Sequence, residues 1–144
     1  MIGIVIATHG DFAKGIHHAV EMFFGEQENV KSVGLQPEDN ADDFQSKIEQ
    51  LVSDVDQGAG VLILTDLNGG TPFNRSLFIK SNDPHRQIEV FSGVNLPMVM
   101  DAINHQMLGS DLATTVASIT KEATEGIHQA VIIESVSSDD DDDF

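Results

Sequence analysis

The chain opens on a short apolar run, Ile2-Gly3-Ile4-Val5-Ile6-Ala7, that stops at Thr8-His9-Gly10. Five of those six residues are apolar, with no alternation of polar side chains, so the run reads as a strand buried on both faces. Such a strand constrains the fold strongly: helices must cover it on both sides, and its neighbours are expected to run parallel. The rest of the sequence meets this requirement. Apolar runs return at Val30–Leu35, Val61–Asp66 and Ile88–Ser92, and residues at helical spacing follow each one.

The first helical segment carries Phe12, Ile16, Ala19, Val20 and Phe23 on one face, and Gly25 closes it. Asn40 caps the second, with Asp42 and Asp43 in its first turn and Phe44, Ile48, Leu51, Val52 and Val55 as its buried stripe. Thr71 and Pro72 begin the third as N-cap and first helical residue. The fourth starts near Leu96-Pro97, with Leu96, Val99, Met100 and Ile103 inward. Gly109-Ser110 breaks it, and Ser110 caps a fifth helix reaching about Glu125. A last β-branched run, Ala130 to Val136, reads as a strand.

This order predicts an α/β fold with an open, mostly parallel sheet and helices on both faces. In the common flavodoxin-like strand order 2-1-3-4, strands one and three are neighbours, and a crevice opens at their C-terminal ends. Residues 1–136 are expected to form one domain and 137–144 an acidic tail or the start of a linker.

That topology pairs His9, ending strand one, with Asp66, ending strand three. A neutral imidazole whose second nitrogen gives its proton to a carboxylate has one fixed tautomer and one bare nitrogen. His9 is therefore expected to act as a nucleophile that carries a phosphoryl group, with Asp66 orienting it. Phosphoryl oxygens need donors. Gly10 lets backbone approach, and Asn68, Gly69, Gly70 and Thr71 stand at the start of the third helix, where amides are unpaired. A strand-end histidine also serves simply to cap backbone groups, and spacing alone does not separate the two roles.

Composition narrows the chemistry. There is no cysteine, which excludes disulfides and thiolate metal sites. His17 and His18 point roughly 100° apart on one helix. His85, His105 and His128 follow no ligand spacing, so no metal is expected. No phosphate-cradling G-x-x-x-x-G-K-[ST] or dinucleotide G-x-G-x-x-G is present, so no nucleotide or other cofactor is expected. Lys14 and Arg75 are the nearest cations to the two loops. The net charge is −17, and the body without the run Asp139–Asp143 still carries −12. That charge repels nucleic acid and anionic membranes and favours a basic partner; it also serves plain solubility. With no membrane-length apolar run and no leader, the chain is expected to be cytoplasmic.

Four strings in series are more specific than any of these features alone. They are Thr8-His9-Gly10, Gly25-Glu26-Gln27-Glu28-Asn29-Val30, Asp66-x-x-Gly69-Gly70-Thr71-Pro72-Phe73-Asn74 and Gly93-Val94-Asn95-Leu96-Pro97-Met98. Together they resemble the enzyme IIA domain of the mannose-type (mannose, fructose, sorbose, gluconate) sugar phosphotransferase system, over about Ile2 to Val136. The resemblance implies a protein-histidine phosphotransferase component that depends on phosphoenolpyruvate. The residue matching His9 takes a phosphoryl group from the phosphocarrier HPr, on Nε2, and passes it to a histidine of the IIB component. Through IIB the chain would associate with the IIC/IID permease, with no membrane insertion of its own. The resemblance further implies a homodimer in which the last strand, Ala130 to Val136, is exchanged and lies antiparallel in the partner's sheet. Asn68 departs from the aromatic or apolar residue often found in that place. The related phosphotransfer subunit of dihydroxyacetone kinase and a non-catalytic anion-binding or signalling module are the alternatives. The third and fourth strings favour the sugar system.

Overall fold

The protein is described from a computed structural model over residues 1–134. Strand β1 (Gly3–His9) is followed by α1 (Phe12–Phe24), β2 (Val30–Leu35), α2 (Ala41–Val55) and β3 (Val61–Thr65). Then come α3 (Thr71–Asn82), β4 (Ile88–Phe91), α4 (Leu96–Leu108) and α5 (Leu112–Glu125). The four strands form one sheet in the order β2-β1-β3-β4, and all three pairings are parallel. This is the flavodoxin-like order expected from the sequence. It puts β1 and β3 side by side, with Ala7 opposite Thr65 at the end of their ladder.

The unbroken apolar run of β1 is explained by two cores. Ile2, Ile4 and Ile6, with Leu62 and Leu64 of β3, face one side. There they meet Ala13, Ile16 and Val20 of α1, Val99, Ala102 and Ile103 of α4, and Ile119 of α5. Val5, Ala7, Val61 and Ile63 face the other side, against Phe44, Ile48, Val52 and Val55 of α2 and Ile79 of α3. The central strands β1 and β3 therefore alternate between two dry faces, while the edge strands β2 and β4 are only partly buried, and each fully buried Ile, Leu or Val contributes about 1.5–3 kcal/mol.

Local chemistry sets the helix ends. Asn40 Oδ1 accepts from the Asp42 and Asp43 amides at 2.7 and 3.3 Å, and Asn95 Oδ1 accepts from the Met98 amide at 3.0 Å. Two caps differ from expectation by one residue. Gly70, and not Thr71, is the N-cap of α3, so Thr71 is its first helical residue. Asp111 caps α5, accepting from the Thr114 amide at 2.8 Å, while Ser110 turns back to His105 Nδ1 at 2.8 Å. The inner face of α1 also differs. Ala13, Ile16 and Val20 are buried, whereas Phe12 and Phe23 lie at the surface and Phe24 packs against the core.

The antiparallel strand expected at Ala130 to Val136 is not formed among the described residues. Residues 127–134 pair with no sheet, and Val131, Ile132 and Ile133 are exposed, Ile132 at 96%. A β-branched run is stabilised as a strand only when its backbone pairs and its side chains leave water. Neither condition holds among the described residues. Ser135, Val136 and the expected acidic tail at 137–144 lie outside the described residues.

Candidate functional site

His9 is the last residue of β1, and Asp66 stands one residue past β3. Because those strands are hydrogen-bonded neighbours, their ends deliver the two side chains to one spot. Asp66 Oδ2 lies 2.9 Å from His9 Nδ1 and accepts from the His9 amide at 3.1 Å. Its other oxygen, Oδ1, accepts from the Leu67 amide at 3.0 Å. One carboxylate thus holds ring, strand end and loop together.

An ionised carboxylate only accepts, so the hydrogen bond needs its proton on Nδ1. In the neutral ring this leaves Nε2 bare. The His9 side chain is 46% exposed and that of Asp66 14%, so the acceptor is sheltered while the ring meets solvent. Burial pushes the Asp66 carboxyl pKa up. The hydrogen bonds from the His9 ring and amide, with the attraction of a charged His9, outweigh this and leave it below the ordinary carboxylate value.

Thr8 anchors the turn behind the histidine, a role the sequence did not disclose. It is fully buried, and its hydroxyl accepts from the Ala13 amide at 2.7 Å and donates to the His9 carbonyl at 3.2 Å. It thereby serves the first turn of α1, where Asp11 makes no side-chain cap. Gly34 of β2 is a second such residue: a Cβ there would overlap the Gly10 carbonyl oxygen. A glycine inside a strand is the one sequence signal for such close approach.

The five residues expected to hold phosphate divide into two groups. The Gly10 amide is committed to the Leu35 carbonyl at 2.7 Å, and the Gly70 amide to the Leu67 carbonyl at 3.0 Å. Neither is a free donor. Asn68 and Gly69 are exposed and Thr71 is half-buried, all on the loop that Asp66 begins. None of the described hydrogen bonds ties Asn68 or Thr71 to the pair. Pro72 has no N–H, and the Thr71 and Phe73 amides precede the helical ladder of α3. Arg75 is engaged elsewhere, its Nη1 2.9 Å from Asp42 Oδ1 and 3.1 Å from Gln45 Oε1. Lys14 stands on the exposed surface of α1.

His17 and His105 are built into other contacts: His17 Nδ1 lies 2.8 Å from Ser32 Oγ, and His105 Nε2 3.8 Å from Asp101 Oδ2. Among the described residues no three His, Cys, Asp or Glu side chains are grouped to hold a metal ion. His9 lines none of the recesses described, although one of about 260 Å³ is bordered by its neighbour Gly10 and by Gly34. Another of about 560 Å³ runs beside β4, lined by Ile88, Glu89, Leu112 and Val116 among others. A half-exposed imidazole at an open sheet edge is within reach of an approaching macromolecule.

This geometry places the chain among α/β proteins with an exposed, carboxylate-oriented histidine at the switch point of a parallel sheet. The chain belongs to the family described as the PTS system fructose IIA component, whose profile matches residues 3–120. It is 35% identical over 126 residues to the PTS system mannose-specific EIIAB component of Escherichia coli (strain K12), covering 88% of this chain and 38% of that protein. It therefore spans about two fifths of that relative's length. The PTS system fructose-specific EIIA component of Bacillus subtilis is 31% identical over 104 residues, 72% of this chain and 70% of that one. The crystal structure of phosphotransferase system component EIIA from Streptococcus agalactiae superposes with a TM-score of 0.83 at 32% identity, covering 90% of this chain and 97% of that one.

Proposed function

We propose that this chain is a phosphoryl carrier of a bacterial sugar phosphotransferase system: His9 takes a phosphoryl group from phospho-HPr and passes it to the IIB component. The supporting observation is the 2.9 Å contact between His9 Nδ1 and Asp66 Oδ2 on a solvent-facing ring. The Nε2 lone pair attacks phosphorus in line. An N–P bond forms as the bond to the donor breaks, and the donor leaves with that electron pair. Asp66 holds the resulting imidazolium and keeps the ring oriented. Transfer to IIB repeats the step with His9 as leaving group.

Gly10, Asn68, Gly69, Gly70 and Thr71 surround the incoming group in this reading. The Thr71 hydroxyl and the free amides of the Asn68–Thr71 loop are its donors, and Gly10 and Gly70 contribute close approach. Positive charge is scarce, because Arg75 is bound to Asp42. A partner with a basic face supplies it, which suits a chain of net charge −17. The reaction belongs to the cytoplasm, where HPr is met, and the IIC/IID permease is reached through IIB. Among the described residues no helix is long and apolar enough to cross a membrane.

A homodimer with exchanged C-terminal segments is part of the same proposal. Strand β4 is an open edge, a recess lined in part by Ile88, Leu112 and Val116 runs beside it, and Val131 to Ile133 are exposed. These features complement one another between two copies. The carrier role is tested by incubation with phosphoenolpyruvate, enzyme I and HPr. The wild-type chain gains one phosphoryl group and His9→Ala gains none; full labelling of the variant refutes the assignment.

A further inference from the structure

We infer that Gly70 is a positioning residue for the His9 imidazole, acting through the absence of a side chain. The inference rests on the reading of His9 as phosphoryl acceptor. A Cβ placed on Gly70 would lie 2.9 Å from His9 Cε1, closer than carbon atoms approach without displacement. Cε1 sits between the two ring nitrogens. The ring is therefore tethered by its own Cβ and by Asp66 at Nδ1, and the space beside Cε1 is open to it because Gly70 carries no side chain. The ring itself is half exposed.

The backbone around Gly70 is fixed more firmly than the ring. Its amide donates to the Leu67 carbonyl at 3.0 Å, and its carbonyl accepts from the Asn74 amide at 2.9 Å. The Leu67 amide is held by Asp66 Oδ1 at 3.0 Å. A Cβ at Gly70 would also stand 3.2 Å from the Leu67 carbonyl oxygen, so the loop has little room to retreat. Gly70 has φ −73° and ψ 168°, a conformation open to every L-residue. A side chain there strains no torsion. The half-exposed ring is the part that yields, and it turns away from Asp66 into solvent. An imidazole freed from that acceptor is no longer confined to the Nδ1–H form, and Nε2 loses its alignment with phosphorus.

Two variants separate positioning from folding. Gly70→Ala adds the Cβ alone. Gly70→Ser adds the same Cβ with a hydroxyl that is favoured at a helix N-cap, which offsets part of the stability lost as the ring leaves Asp66. Each is examined by ¹⁵N NMR of the His9 ring, by transfer rate from phospho-HPr and by thermal unfolding. Both variants are expected to fold, to show mixed ring tautomers and to lose about a hundredfold in rate, the scale of an ångström-sized misplacement. An intact Nδ1–H tautomer in both variants overturns the inference, whether the rate falls or not. So does a rate within threefold of wild type. A wild-type chain that takes no phosphoryl group at residue 9 sinks the carrier reading instead, while the tautomer signal still decides the role of Gly70.

Discussion

Replacing Asp66 by Asn keeps the shape of the side chain and removes its charge and one acceptor. In the wild type Oδ2 serves both the His9 ring and the His9 amide, and Oδ1 serves the Leu67 amide. Asparagine has a single oxygen, so it cannot serve both sides. If the oxygen faces His9, the Leu67 amide meets an NH₂ group. If the NH₂ faces His9, the ring must accept at Nδ1, and the proton moves to Nε2, the nitrogen required as nucleophile. Hydrogen bonds to a charged group contribute about 1.5–3 kcal/mol, roughly twice the neutral value. Two such bonds to His9 lose about half each, and the half-exposed ring places the effect toward the lower end, near 1.5–2 kcal/mol. At about 1.4 kcal/mol per tenfold, transfer from phospho-HPr slows by roughly 10- to 30-fold. Rapid quench with mass detection measures the rate, and circular dichroism checks that the fold is kept. A rate within threefold of wild type would mean that the carboxylate does not set the tautomer.

The same contact gives a stability difference that depends on pH. The folded pKa of Asp66 lies below its ordinary value of 3.8, so its contribution is complete above the unfolded value and is lost as pH falls through the folded one. The melting-temperature gap between wild type and Asp66→Asn is expected to narrow as pH drops below about 4; a constant gap down to pH 2 contradicts this. Thr8→Val deletes the hydroxyl that receives the Ala13 amide, and stability is expected to fall by about 1–3 kcal/mol by urea denaturation, with slower transfer. Asn40→Ala removes the cap of α2, whose described side-chain bonds reach only Asp42 and Asp43, and is expected to cost about 1 kcal/mol with no change in transfer rate. Ile6→Ala empties part of the core beside α1 and α4 and is expected to cost about 2–5 kcal/mol. A loss below about 0.5 kcal/mol in any of these three denaturation curves refutes the corresponding contact.

The sequence made the His9–Asp66 contact readable because topology, not side-chain chemistry, brings the two together. Strands buried on both faces imply a parallel sheet, and the 2-1-3-4 order leaves the ends of β1 and β3 adjacent. Finer features follow from packing that one-dimensional pattern does not encode. In α1 the largest apolar residues, Phe12 and Phe23, suggested the inner face. Burial follows the smaller stripe Ala13, Ile16 and Val20, because α1 lies close against the sheet. Ser110 and Asp111 are both good caps, and which one serves depends on where His105 draws Ser110. Val131 to Ile133 carry the pattern of a strand, yet they pair with no sheet among the described residues. Gly70 looks like an amide donor from its place before a helix, but the fold engages its amide with Leu67 and leaves no room between it and the ring for a side chain.

The phosphorylation site itself is the most direct test. The chain is charged with phosphoenolpyruvate, enzyme I and HPr, kept above neutral pH to protect an acid-labile N–P bond, and mapped by tandem mass spectrometry. The account predicts one phosphoryl group, on His9, at Nε2 by ³¹P and ¹⁵N NMR. Stable label on any other residue, or attachment at Nδ1, would contradict it.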